Sequence, residues 1–384
     1  MTAAYSETVQ QHIAARTGMP RELYTSPELY EAELAAVFQR SWLYAGHVSE
    51  IARPGQYLTV ASGDESVIVA RGNDETISAF YNVCRHRGAR LVDEGCGSAR
   101  RFVCPYHQWT YRLDGSLLGA PRMGKDFDPA EHPLPTVAVE VWQGLVFVNL
   151  AADPGPGVGA LFADGEAVVA PFALAEARVV HTEDYLVAAN WKLVWENAQE
   201  CYHCMANHPE FLKAFDLASI NEPDWRECDV QRSDDRRVQY AKLPLRSDAV
   251  SLTVDGRPAV AKLLGEFAAG RDPYTVAIHL KPTVAVVCSP DYAIVLTDSP
   301  DGLGSTKVRV SWLVHPSAEA GTDYDVDNLI KVWDQTNRQD WKLCERAQLG
   351  VRSQSYVPGP LAADEASVLD FYRAYAQLLA DAGL

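Results

Sequence analysis

Two mixed pairs of metal-binding side chains, Cys84-Arg-His86 and Cys104-Pro-Tyr-His107, constrain this chain more than any other feature. Seventeen residues separate the pairs. Each pair is short enough to sit on one tight loop, so two loops can clamp one centre. Two thiolates can hold one iron of a [2Fe–2S] cluster while two imidazoles hold the other, and imidazoles in place of thiolates raise the reduction potential. The competing reading is a structural zinc site. Such sites usually pair Cys with Cys and His with His, whereas here each half carries one of each. Cys96 lies between the pairs and reads as an ordinary thiol.

The sequence around these pairs is β-rich. Short runs at Gln56–Val60, Val67–Arg71, Ile77–Val83, Val137–Val141 and Val146–Leu150 are split by turn signals such as Gly72-Asn73-Asp74 and Asp114-Gly115. A Pro/Gly-rich stretch, Ala152–Gly159, marks a boundary. Before the β-rich part, Ser26-Pro27 reads as an N-cap and first helical position. After the boundary the texture is mixed. Helix is expected from Asn190 to about His208, from Asp327 to Ser353 and from Ala366 to Leu379; strands are expected at Val276–Cys288, Ala293–Thr297 and Thr306–His315. The fold class is therefore α+β, with a helical segment at 1–40 packing on the C-terminal domain, an all-β domain at 41–151 and a larger domain at 160–384.

The net charge of −17 argues against nucleic acid and anionic membranes as partners. No apolar run reaches the roughly 20 residues of a membrane span. The start lacks the basic and apolar regions of a signal peptide, which points to a cytoplasmic protein. Eight cysteines in 384 residues are too sparse for a disulfide framework, and in a reducing compartment they are expected as thiols or metal ligands.

A second metal signal is Glu-Cys-Tyr-His-Cys-Met-Ala-Asn-His, Glu200 to His208. Three readings compete. A Cys201/Cys204 redox dithiol wants a helix N-terminus after a strand, and the upstream residues do not offer one. A zinc site on Cys201, His203, Cys204 and His208 is crowded, because adjacent residues point to different helix faces. In the third, His203 and His208 bind Fe(II) with a distant carboxylate, leaving positions open for O2 and substrate. A cluster in the same chain favours the third, since a cluster needs an electron acceptor.

The segments "CRHRGARL" and "CPYHQWTYRLDGSL" resemble the Rieske domain of Rieske-type non-haem iron oxygenases, α (terminal oxygenase) subunit. "NWKLVWENAQECYHCMANHPEF" resembles the catalytic motif of the same family. The resemblance implies Cys84 and Cys104 on one iron of the cluster and His86 and His107 on the other. It implies His203 and His208 as mononuclear iron ligands in a helix-grip catalytic domain, an antiparallel sheet with helices. It also implies Asp340, within "TNRQDWKLCERAQLG", as the third ligand; Asp334 on the same helix is the alternative. Glu200 matches the acid that carries electrons between subunits of a trimer, here linking His203 to the neighbour's His107. It sits i,i+3 from His203 and would fix that imidazole's tautomer.

The implied reaction is reductive O2 activation with electrons from NAD(P)H. No nicotinamide-binding fingerprint is present, so a partner flavin/iron–sulfur reductase is expected. Glu rather than Asp at position 200 resembles the branch acting on choline, carnitine, glycine betaine and proline betaine, by hydroxylation or N-demethylation. A quaternary ammonium wants aromatic faces, and Trp195, Tyr202, Trp312, Trp333, Trp341 and Tyr356 are available. The alternatives are an aromatic ring-hydroxylating dioxygenase α subunit, a zinc-stabilised binding protein without redox function, and an electron carrier with the cluster alone.

Overall fold

The structure is a computed structural model and describes residues 5–217 and 230–384. It divides into two units, Gln39–Ala160 and a second made of Met1–Phe38 with Leu161–Leu384.

The first unit is built on a seven-stranded antiparallel sheet. Its strands are Leu43–His47, Leu145–Asn149, Thr136–Trp142, Ile77–Tyr81, Glu65–Arg71, Gln56–Ser62 and Cys96–Ser98, in that spatial order. A small three-stranded sheet, Phe102–Val103, Thr110–Tyr111 and Leu117–Gly119, carries the second Cys/His loop. Ile68, Phe80, Phe102, Trp109 and Tyr111 form one buried cluster, and Cys84 and Cys104 belong to it. Both loops therefore start from the core, which anchors their backbones.

The second unit is a seven-stranded antiparallel sheet with helices. Spatially adjacent strands run Arg178–Val187, Ser305–Val314, Tyr292–Gly302, Val284–Cys288, Thr275–Leu280, Val238–Leu243 and Val230–Arg232. The expected strand Val276–Cys288 is a hairpin, Thr275–Leu280 and Val284–Cys288. Pro282 explains the difference: it cannot donate to a ladder, so the run must turn there.

The N-terminal helices pack within this unit. Ser26 caps the helix Pro27–Glu33 by accepting from Leu29 N, a contact worth about 1 kcal/mol. That helix brings Glu33 into the interior, where Lys192 Nζ donates to it at 2.6 Å and Trp191 Nε1 at 3.0 Å. Tyr375, from the terminal helix Ala366–Asp381, donates to the same carboxylate. Lys192 and Glu33 are each about 1% exposed. Removing one partner of such a pair leaves an uncompensated buried charge, which costs roughly 3–5 kcal/mol. The Asn-Trp-Lys motif is thus structural in its local role: Asn190 caps the helix Trp191–Ala198, and Trp191 and Lys192 tie it to the other two.

The expected helix from Asn190 to His208 is broken. It runs Trp191–Ala198, turns through 199–203 and resumes as one turn, Cys204–Asn207. The long helix Val326–Val351, capped by Asp325, crosses the unit and carries Asp340. The terminal stripe Val368, Phe371, Tyr372, Tyr375 and Leu379 is buried throughout. No described helix is long and apolar enough to cross a membrane.

Candidate metal centres and active site

The two Cys/His loops share one backbone design. Cys84 N donates to Ala89 O and its carbonyl accepts from Gly88 N; Cys104 N donates to Trp109 O and its carbonyl accepts from Gln108 N. Each loop closes through a residue in the left-handed region, Gly88 at φ 73° and Gln108 at φ 63°. Gly88 takes that conformation at no steric cost; Gln108 bears it with a side chain whose Nε2 returns to Cys104 O.

The two loops point their donors at a shared centre. Cys84 and Cys104 are both buried in the core of this unit, and Cys104 is near enough to add to the rise of the Cys84 thiol. Burial pushes the Cys84 thiol up, while a contact from the Tyr111 hydroxyl at 3.4 Å opposes this. His86 is exposed and His107 half-buried, with their Nδ1 atoms 3.1 Å apart. Ligand atoms about 2 Å from a tetrahedral metal sit roughly 3.3 Å from each other, so this separation suits two nitrogens on one ion. The His86 ring is held flat against Trp109, with centroids 5.0 Å apart and planes 9° apart. Tyr106 stacks on His107 at 3.8 Å. Two buried sulfurs and two outward nitrogens fit a cluster with unlike irons.

In the second unit His203, His208 and Asp340 converge. Asp340 Oδ1 lies 3.1 Å from His203 Nε2 and 2.8 Å from His208 Nε2. The imidazole planes cross at 84°, so two lone pairs approach one point from different directions. Each Nδ1 faces an oxygen: His203 meets Glu200 Oε1 at 2.5 Å, and His208 meets Gln339 Oε1 at 2.7 Å. An oxygen at Nδ1 holds the proton there and leaves Nε2 free for a metal. Burial alone would lower both histidines. The carboxylates of Asp340 and Glu200 override it for His203, raising it to about 9, and Asp340 with Gln339 raises His208. Burial pushes the Asp340 carboxyl upward, but the two imidazoles hold it below its usual range. A carboxylate and two imidazoles drawn to one point are the donor set a divalent iron takes.

Asp334, the alternative ligand, is engaged elsewhere: it accepts from Tyr185 at 2.7 Å and from Arg338 at 2.9 Å. Glu200 reaches His203 from a turn, not along a helix face as its spacing suggests; its other oxygen accepts from the backbone of Tyr202. Sequence reasoning missed Gln339, although it directly precedes Asp340.

The expectation that every cysteine is a thiol or a ligand fails at Cys201 and Cys204, which form a disulfide. The turn that interrupts the helix brings their Cα atoms to 4.9 Å, within bridging distance. The sulfur of Cys204 lies within 4.8 Å of the histidine donors, but a bridged sulfur offers no thiolate.

A cavity of about 170 Å³ opens beside the triad. Its helical wall includes Trp333, Asn337, Asp340 and Trp341, with Phe211 nearby; its other wall is one face of the sheet. Trp333 and Phe211 meet edge to face at 5.7 Å. Of the other aromatic candidates, Trp195 and Trp312 are buried, Tyr202 is exposed, and Tyr356 lines a different cavity.

Comparison with known proteins follows this layout. Residues 41–141 match the family described as Rieske [2Fe-2S] domain, and residues 174–381 match the ring hydroxylating alpha subunit (catalytic domain). The glycine betaine monooxygenase oxygenase subunit of Chromohalobacter salexigens is 38% identical over 382 residues, covering 94% of this chain and 85% of the relative. The crystal structure of the quaternary ammonium Rieske monooxygenase CntA with an inhibitor superposes with a TM-score of 0.78 at 24% identity, covering 97% of this chain and 98% of the other. Naphthalene 1,2-dioxygenase from Rhodococcus sp. superposes at 0.75 with 20% identity and the same coverage. The fold is therefore shared across substrate classes.

Proposed function

The chain belongs to the ring-hydroxylating α subunits of Rieske non-haem iron oxygenases, and from this premise we propose that it oxidises a quaternary ammonium compound, in the manner of an N-demethylating monooxygenase. As a member of that family it is an oxidoreductase that takes electrons from a partner reductase. When bound, the cluster supplies single electrons and the mononuclear iron supplies open coordination positions for O2 chemistry.

The observation that carries the substrate reading is the cavity beside the triad. Its volume of about 170 Å³ is below the roughly 300–1,000 Å³ typical of drug-sized ligands and suits a compact molecule; a second cavity of about 550 Å³ borders Glu200 and His203 from another side. Trp333, Trp341 and Phe211 offer π-faces to an onium group. The 38% identical relative named for glycine betaine supports the same class.

In this reading Cys84, Cys104, His86 and His107 hold the cluster, and His203, His208 and Asp340 hold the iron. Glu200 and Gln339 keep the Nδ1 protons in place, so that both Nε2 atoms stay available. The aromatic wall positions an N-methyl group and keeps water out. Hydroxylation of that methyl consumes O2, two electrons and two protons and releases water. The resulting N-hydroxymethyl ammonium splits its C–N bond to a tertiary amine, formaldehyde and a proton. Glu200 is also the proposed link to His107 of a neighbouring subunit, which requires an oligomer, a trimer in this reading.

The test is turnover of glycine betaine, carnitine, choline and proline betaine with a flavin/iron–sulfur reductase and NADH. Formaldehyde stoichiometric with substrate consumed is expected from at least one. No formaldehyde and no oxygenated product from any of them overturns the substrate class. For the link, Glu200→Gln should keep both metals and slow electron delivery to the mononuclear iron in single-turnover experiments; unchanged delivery overturns the bridge.

A further inference from the structure

The sheet wall of the cavity is made from one face of four neighbouring strands. Gln239 and Ala241, Ala277 and His279, Ala285 and Val287, and Leu296 all line it, at the every-second-residue spacing that puts side chains on one face. In register these residues form cross-strand rows: Gln239 pairs with His279, His279 with Ala285, and Ala285 with Leu296. The neighbouring row is Ala241, Ala277 and Val287. Alanines make this wall shallow and leave the space a ligand fills. In a face of Ala, Val and Leu, Gln239 and His279 stand side by side at one edge; Lys242 also borders the cavity, with its Nζ drawn over the Tyr274 ring at 5.0 Å.

Gln239 has a fixed orientation. Lys281, two residues beyond His279 and about 1% exposed, places Nζ 3.0 Å from the Gln239 amide. Lys281 Nζ donates to Gln239 Oε1, so the amide oxygen faces the lysine. The Gln239 Nε2 is left pointing away from Lys281 and has no partner among the described residues. The His279 ring packs against Trp195 and meets Gln199 through Nδ1 at 3.3 Å. Lys281 also donates to Arg236 O at 3.2 Å, so it is anchored independently of any ligand. The outcome is an amide donor held rigidly at the edge of an apolar cavity, with an imidazole beside it and a buried amine behind it.

Resting on the proposed quaternary ammonium reading, we infer that Gln239, with His279 beside it, binds the carboxylate of the substrate and makes this site selective for short zwitterions over cationic alcohols. The two walls then divide the recognition. The helical wall takes the N-methyl groups next to the triad, and the sheet wall takes the negative end. A hydrogen bond from a neutral amide to a carboxylate is charge-assisted and strong in an apolar surround. Choline, which keeps the trimethylammonium and lacks the carboxylate, would gain nothing from it.

The test is calorimetric titration of the metal-loaded protein with glycine betaine, carnitine and choline, for the wild type, Gln239→Leu and Gln239→Glu. Gln239→Glu keeps a partner for Lys281 and tests the inference should the leucine variant not fold. Both substitutions should weaken the carboxylate-bearing ligands about 10- to 100-fold; choline should stay within about twofold in Gln239→Leu and be unchanged or tighter in Gln239→Glu, whose carboxylate attracts the cation. Equal weakening of all three ligands would mean a structural role and overturn the inference. Unchanged binding of the betaines by the variants also overturns it, while wild-type turnover would leave the parent reading standing. A wild type that binds and oxidises none of the three ligands removes the parent reading and this one with it.

Discussion

His208 is held at both ring nitrogens by consecutive residues of one helix: Gln339 Oε1 is 2.7 Å from Nδ1, and Asp340 Oδ1 is 2.8 Å from Nε2. Gln339 therefore sets the tautomer that Asp340 and a metal need. Gln339→Leu should lower affinity for the mononuclear iron about 10- to 100-fold, the usual cost of losing an outer hydrogen bond to a ligating histidine. Gln339→Glu keeps an acceptor at Nδ1 and should retain most of that affinity. Iron affinity measured by competition with a chelator checks both. Equal affinity in Gln339→Leu and the wild type would remove the positioning role.

Separating the two centres tests the ligand sets. Asp340→Ala should retain the visible absorption and acid-labile sulfide of the cluster while iron falls from about three to about two per chain. Cys84→Ser should do the reverse to the cluster, abolishing the sulfide. Loss of the cluster in Asp340→Ala with an intact fold would contradict the division. Zinc without sulfide in the wild type would contradict both assignments.

Much of the site was legible because its chemistry is local in sequence. Each cluster pair spans a few residues, and the backbone closing each loop runs only from Cys84 to Ala89 and from Cys104 to Trp109. His203 and His208 are similarly close. Gln339 was not legible, because its partner lies 131 residues away and nothing in a helical Gln announces it. Likewise Gln239 and His279 become neighbours only through sheet register. Reading Val276–Cys288 as one strand ignored Pro282 and hid the hairpin that sets that register. The contact between Glu200 and His203 was anticipated, but from helix spacing, whereas a turn supplies it. The caps at Ser26 and Asn190 satisfy helix ends as their residue types suggest.

The Cys201–Cys204 bridge straddles His203, and its role can be separated from metal binding. A bridge closing so short a loop removes little chain entropy, about 2 kcal/mol in the entropic account. The double variant Cys201→Ser/Cys204→Ser should keep both metal centres and lose roughly that much stability in urea denaturation. A wild type under reducing conditions should lose the same amount. Loss of the mononuclear iron from the double variant would instead make Cys204 a ligand, since its sulfur lies within 4.8 Å of the histidine donors.

Asp291 gives the second unit a pH dependence of unusual sign. It is fully buried before the strand Tyr292–Gly302, and its Oδ2 accepts from Ala259 N at 2.7 Å and Val260 N at 3.1 Å. Burial raises its carboxyl to about 6, and these hydrogen bonds only partly oppose the rise. An unfolded Asp titrates near 3.9, so between those values the folded chain binds more protons than the unfolded one. Stability then falls as pH rises. The contribution is fully present below the unfolded value and lost as pH passes through about 6. A shift of roughly two units corresponds to about 3 kcal/mol at most. Asp291→Asn keeps an oxygen for the two backbone donors and removes the titration. Between pH 4.5 and 7.5 the stability of the wild type should drop relative to Asp291→Asn by about 2 kcal/mol, the rest of the shift lying below pH 4.5. Parallel pH profiles for the two proteins, measured by chemical denaturation, would show that the carboxyl is ionised in the folded state throughout and that its two backbone donors, not burial, decide its charge.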